Sequence, residues 1–229
     1  MQVIHATGIE GARQAQGLAV VIDVLRSFTV SAYALAGGAR ECRLVTTTVE
    51  ARALAAATPG SVLCAEENAL PLPGIAISNS PTQIRDTDLK DRILIQRSSA
   101  GTQVTAAIRT GVDMFAASLV VARATVQACL LRHPTALTLI ASADHPEDHA
   151  CARYMEAVIR GEQPDVEPLL QPLKNSERYA RALSGAWPGF PPTDLELALQ
   201  PDRFALAMPV TRENGYLRLT RADRQPGNG

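Results

Sequence analysis

Four places in the chain put residues capable of chemistry at the end of a strand-like run. Asp23 and Arg26 follow the aliphatic stretch 18–22, and Glu66 and Glu67 follow 61–64. Arg97, Ser98, Ser99, Gly101 and Thr102 follow 91–96, and Asp144, His145, Glu147 and Asp148 follow 136–141. Three of the four supply carboxylates, hard oxygen ligands of the kind that hold Mg²⁺ together with waters and a phosphate. The hydroxyl- and glycine-containing turn at 98–102 precedes a helical pattern, and helix N-termini offer N–H groups to an anion. Arg26 or Arg97 could then clamp a second anionic group bidentately.

Each cluster also has a plainer reading. Asp23 could cap or pair locally, Glu66 and Glu67 could form a solvated turn, and Ser98 or Ser99 could be an N-cap. Glu147 and Asp148 follow Pro146 in a first helical turn, where acids suit the helix dipole. His145 and His149 have the i, i+4 spacing of a zinc pair, but no HExxH glutamate accompanies them.

The elements that must carry these residues read as strands followed by helices. Residues 18–24 form a strand buried on both faces, and 28–36 a helix stopped by Gly37-Gly38. Further strand patterns lie at 2–5, 43–45, 61–64, 91–96, 113–117 and 136–141. Helical patterns lie between them at 48–57, 82–90, 104–109 and 119–132, and then at 147–160. Thr48 is the expected N-cap of the 48–57 helix. Residues 68–81, with Pro71, Pro73, Gly74 and Pro81, read as a long ordered loop of the functional kind. After Gly161, prolines break the chain into short helical pieces. Strands at 204–210 and 216–219 then close a hairpin at Asn214-Gly215, and 221–229 is a polar tail. Parallel strands of one sheet present their carboxyl ends at one edge, so the four clusters are expected to converge.

Composition narrows the partners. A net charge of −1 and 4% aromatic residues in 229 argue against nucleic acid. With 46% hydrophobic residues the chain can bury a sizeable core. No apolar run is long enough to span a bilayer, and no signal peptide precedes the first strand pattern. A cytoplasmic protein is expected, with Cys42, Cys64, Cys129 and Cys151 reduced and mostly buried.

Taken together, the motifs resemble those of the 2-phosphosulfolactate phosphatases, Mg²⁺-dependent enzymes of coenzyme M biosynthesis with many bacterial relatives. Asp23-Val24-Leu25-Arg26-Ser27-Phe28-Thr29 is similar to that family's DVLRATT segment. Ala65-Glu66-Glu67 through Pro81 resembles its GER…LPIPGFDLGNSP loop, with close matches at Leu70-Pro71-Leu72-Pro73-Gly74 and Asn79-Ser80-Pro81. Ser98-Ser99-Ala100-Gly101-Thr102 resembles its TTNGT turn, and Glu147-Asp148-His149-Ala150-Cys151-Ala152 its ED-x-x-CA helix start. The chain departs from the pattern at Glu67 (Arg in the family), Asn68-Ala69 (Gly-Gly), Ala76 (Asp), Ala100 (Asn) and Gln103 (Arg).

The resemblance implies an α/β fold, three-layer α/β/α with a mixed sheet. It implies a single domain over 1–229 with a helical insertion at about 161–200. It also implies a Mg²⁺-dependent phosphatase acting on a small phosphorylated hydroxy acid. Asp23, Arg26 and Glu66 would then be catalytic, and Asp23, Glu66 and Asp148 would hold Mg²⁺. Arg97, Ser98, Ser99, Gly101, Thr102, Asn79 and Ser80 would contact the substrate. Arg97 is expected to enter the cleft and supply the charge lost at Glu67. The alternative, which the departures favour, is a non-catalytic member that binds an anion or metabolite in the same cleft. The expected partner is a small anionic phosphorylated metabolite, with no nucleic acid or membrane, and a homodimer is among the assemblies open to it.

Overall fold

The computed structural model describes residues 1–223; the polar tail foreseen at 221–229 lies outside them beyond Asp223. The chain opens with β1 (Gln2–Thr7), α1 (Gly8–Arg13), β2 (Leu18–Ile22), α2 (Ser27–Ala36) and β3 (Glu41–Leu44). It continues through α3 (Thr48–Ala56), β4 (Val62–Glu67), β5 (Leu70–Pro71), α4 (Pro81–Arg85), β6 (Ile93–Arg97) and α5 (Gly101–Ala107). After β7 (Met114–Ala117), a 3₁₀ turn at Leu119–Val121 leads into α6 (Ala122–Leu130), β8 (Ala136–Ala141) and α7 (Pro146–Ile159). The proline-punctuated stretch holds α8 (Glu167–Lys174), α9 (Glu177–Leu183) and α10 (Thr193–Ala198). Strands β9 (Leu206–Glu213), β10 (Tyr216–Leu219) and β11 (Ala222–Asp223) finish the described chain.

Alternation along β2 explains the layering. Ala19 and Val21 pack with residues of α1, α2, α4 and α5, whereas Leu18, Val20 and Ile22 pack with residues of α6 to α10. Successive strand residues face opposite sides, so one apolar run feeds two cores and the architecture is α/β/α. Some boundaries differ from the sequence pattern. The N-cap of α3 is Thr47 rather than Thr48, because Thr47 and Glu50 exchange side-chain and backbone bonds as a capping box. Within the 68–81 loop, Leu70 and Pro71 pair antiparallel with Glu67 and Glu66.

The sheet order is β1-β8-β2-β7-β9-β10-β3-β6-β4-β5, with β11 beside β9. Strands β1, β8, β2 and β7 are mutually parallel, as are β3, β6 and β4. The two runs are separated by three antiparallel steps, β7–β9, β9–β10 and β10–β3. They therefore point in opposite senses, and a flat sheet would put their carboxyl ends at opposite edges. Helix α2 packs against β3, β7 and β9 and against α5, spanning both runs. Ser27 through Leu35 are all buried, as expected of a helix enclosed on every side. The end of β2 nevertheless meets the start of α5, where the Gly101 N–H bonds Asp23. Among the described residues, no helix is long and apolar enough to cross a membrane.

Candidate active site

Asp23 stands one residue past β2 and is 4% exposed. Its Oδ1 accepts the Ser27 N–H at 2.9 Å, and its Oδ2 accepts the Gly101 N–H at 3.0 Å. Asp148 lies in the first turn of α7, where a proline at the start presets the backbone and acids suit the dipole. Its Oδ1 accepts the Val24 N–H at 2.8 Å, and its Oδ2 the Ser142 hydroxyl at 2.9 Å. Glu66, near the end of β4, accepts the Ser99 N–H and hydroxyl and the Ala69 N–H. The 98–102 turn thus binds two of the chain's own carboxylates through its amides. Its remaining hydroxyls are turned inward: Ser98 Oγ accepts the Thr102 N–H, and Thr102 Oγ1 donates to the Ser98 carbonyl. Gly101 is required by this approach, since a Cβ there would lie 2.7 Å from Asp23 Oδ2.

The acids form a row. Burial pushes Asp23 up to about 6; the Glu66 charge adds to this, and the Ser27 N–H and the Arg178 charge oppose it. Burial, and then the charges of Asp23 and Glu147, raise Asp148 well above the usual carboxylate range. Among the described residues, no group of three or more His, Cys, Asp or Glu side chains converges as a metal cage. Two adjacent buried carboxylates are nevertheless a donor set that suits Mg²⁺, which takes one or two carboxylates and keeps waters. The histidine pair forms no such site: His149 Nε2 bonds Asp144 at 2.8 Å.

The arginines singled out in the sequence have other tasks. Arg26 is 4% exposed and donates to Asp194 Oδ2 at 2.9 Å and to the Gly189 carbonyl, with its guanidinium 4.2 Å from the centre of the Phe190 ring. Ser80 Oγ and the Thr82 N–H also bond Asp194, and Ser78 Oγ also bonds the Gly189 carbonyl. Gly189 has a φ of +68°, and a Cβ there would meet Pro71 at 2.5 Å. Asn79 Oδ1 accepts from Gln96, which also bonds Ser27 and Ser31. Arg26, Asn79 and Ser80 thus belong to buried networks that pin the 68–81 loop and the α10 segment to the turn after β2. Arg97 donates to the carbonyls of Glu66 and Thr46 and to Ser99 Oγ, so it braces the Glu66 loop.

Three participants went unassigned in the sequence. Asp194, 0% exposed, receives Arg26 from far along the chain. Glu147, named there among the 144–148 acids and in the ED-x-x-CA match but given no role, pairs with Arg178 at 3.0 Å. Arg178 of α9 also donates to the Leu25 carbonyl. The cluster of prolines around these residues was the one available signal, and it marks segments rather than side chains.

The mixed sheet, with Asp23, Glu66 and Asp148 buried at the ends of β2 and β4 and the start of α7, defines an α/β protein with a buried acidic centre. A family model described as 2-phosphosulpholactate phosphatase matches residues 5–183, and the chain belongs to that family. It is 35% identical over 147 residues to a probable 2-phosphosulfolactate phosphatase of Bacillus subtilis, covering 62% of this chain and 64% of the relative. It is 30% identical over 151 residues to a probable enzyme of that name from Carboxydothermus hydrogenoformans, covering 65% and 62%. A probable one from Thermoplasma acidophilum is 27% identical over 187 residues, covering 80% and 81%. The chain thus spans less than two thirds of the length of the first two relatives.

Proposed function

We propose that this protein is a Mg²⁺-dependent phosphatase of a small phosphorylated hydroxy acid, similar to 2-phosphosulfolactate. The observation that carries the reading is the buried pair Asp23 and Asp148: like charges side by side in a low-dielectric site call for a cation. Asp23 and Asp148 would hold Mg²⁺, with Glu66 at the end of the row. A bound Mg²⁺ would supply charge neutralisation for the phosphoryl group. The chain's own residues do the positioning. The Ser27 and Gly101 amides fix the Asp23 carboxylate, the Val24 amide and Ser142 hydroxyl fix Asp148, and Arg97 braces the loop that carries Glu66.

A screen of small phosphomonoesters for phosphate release, with Mg²⁺ and with EDTA, tests the proposal. Release that needs Mg²⁺ and favours phosphorylated hydroxy acids is the expected result. Absence of turnover across the panel would overturn it. One observation favours a second reading, a member that binds an anion without hydrolysing it: the amides of the 98–102 turn and the Arg26 guanidinium are already committed to protein groups. Binding of the same esters without turnover would select that reading.

A further inference from the structure

We infer that the Arg178 and Arg181 face of α9 receives the second anionic group of the substrate, the carboxylate or sulfonate carried beside the phosphoryl group. The assignment rests on the phosphatase reading above. A phosphorylated hydroxy acid brings two anions on neighbouring carbons, and the acid row with its cation accounts for only one. Arg26 has a side chain 3% exposed and spends its donors on Asp194 and Gly189, while Arg97 spends its own on backbone carbonyls.

Arg178 differs. Its side chain is 23% exposed, its Nε and Nη2 bond Glu147 and Leu25, and among the described residues its Nη1 makes no hydrogen bond. Its bonds to Glu147, next to Asp148, and to the Leu25 carbonyl, two residues past Asp23, place it beside the row. Arg181, three residues on and exposed, shares its helix face. Both guanidiniums lie over the Trp187 ring, at 5.4 Å and 4.5 Å from its centre. An indole face holds planar guanidiniums in place, and such forks suit carboxylate-like anions. Glu147 Oε2 is buried with no hydrogen-bond partner. Buried polar atoms normally have one, so among the described residues Arg178 is the one partner that holds this buried carboxylate.

Two matched esters test the assignment: 2-phospholactate, and isopropyl phosphate, which replaces the carboxylate with a methyl group. In the wild type with Mg²⁺, kcat/KM should favour 2-phospholactate by about 10- to 100-fold, the range of one charged hydrogen bond. In Arg178→Gln and Arg181→Gln this preference should shrink, with the loss on isopropyl phosphate at least tenfold smaller. Arg178→Gln leaves Glu147 buried without its cation and could unfold. Arg181→Gln, at an exposed position, keeps the test valid, and near-ultraviolet circular dichroism checks both folds. A preference that persists in both variants, or is absent from the wild type, overturns the assignment. If the wild type turns over neither ester, the phosphatase reading fails on its own. Calorimetric titration with the same two esters then decides: a preference dependent on Arg181 supports the assignment, and equal affinities overturn it.

Discussion

Asp148 accepts the backbone N–H of Val24 at 2.8 Å, the amide directly after Asp23, so the chain itself holds these two buried carboxylates as neighbours. The turn after β2 and the first turn of α7, distant in sequence, meet through this bond, and the charges they deliver oppose each other. The fold tolerates that opposition because each oxygen has a donor. Burial is the main reason that both groups hold their protons more tightly than an exposed aspartate does, with the Glu66 charge adding to it at Asp23 and the Asp23 and Glu147 charges at Asp148.

Asp148→Asn should therefore stabilise the protein at neutral pH in EDTA. Its Oδ1 can still accept from Val24, and its Nδ2 can donate to Ser142 Oγ. The folded-state pKa of Asp148 lies above the ordinary value of 3.8. The stability contributed by its protonated form is present below 3.8 and is lost as pH rises through the folded value. Asparagine has no proton to lose, so the variant should gain on wild type as pH rises and the gap should close below about pH 4. We expect about 1 kcal/mol at pH 7.5, or about 2–4 °C in Tm for a chain of this size. Thermal melts from pH 4 to pH 8 check this, and a variant less stable at pH 7.5 contradicts it.

Gly101→Ala opposes two effects. Alanine is favoured over glycine in a helix by about 0.5–1 kcal/mol. The new methyl would lie 2.7 Å from Asp23 Oδ2 and 3.0 Å from Ser27, and overpacking costs about 1–3 kcal/mol. The clash should win, lowering stability by about 1–2 kcal/mol and weakening the Asp23 contact. Urea denaturation gives the sign directly; a gain in stability would show slack in the turn.

Arg26 and Asp194 should behave as a structural pair. Removing one partner leaves the other charge buried, at about 3–5 kcal/mol. Arg26→Ala and Asp194→Ala should each destabilise by about that much, and the double variant by clearly less than the sum. An Arg26 devoted to anion binding would instead change affinity and leave stability nearly untouched.

The strand ends were readable in the sequence because Leu18 through Ile22 and Ala136 through Ala141 are apolar runs that stop on polar residues. That reading placed Asp23, Glu66 and Asp148 near one another, through the expectation of a common sheet edge. In the structure the β9–β10 hairpin reverses one parallel run; the Ser99 and Gly101 amides link Glu66 and Asp23 to one turn, and among the described residues no three acids close into a metal cage. The Asn214-Gly215 turn encodes the hairpin itself, but nothing local encodes its place between β7 and β3. The roles of Arg26, Asn79 and Ser80 were not legible for a related reason: Asp194 and Gln96, which claim them, are fixed by tertiary packing rather than by spacing.

Arg97→Ala illustrates the difference. As a cleft residue it would lower anion affinity at constant stability. As the donor to the Glu66 and Thr46 carbonyls, with its side chain 13% exposed, it should lower stability by about 1–3 kcal/mol by leaving those carbonyls unpaired. Urea denaturation beside a binding titration separates the two.

The central claim is that Asp23 and Asp148 are the reactive centre. The most direct measurement is Mg²⁺-dependent phosphate release from 2-phospholactate by wild type and by Asp148→Asn, with the variant's fold verified by its melt. The account predicts a fall on the order of 10²–10³ in kcat, the scale of losing one preorganised electrostatic group, in a protein at least as stable as wild type. A folded Asp148→Asn that hydrolyses within about threefold of the wild-type rate, a change below 1 kcal/mol, would contradict it.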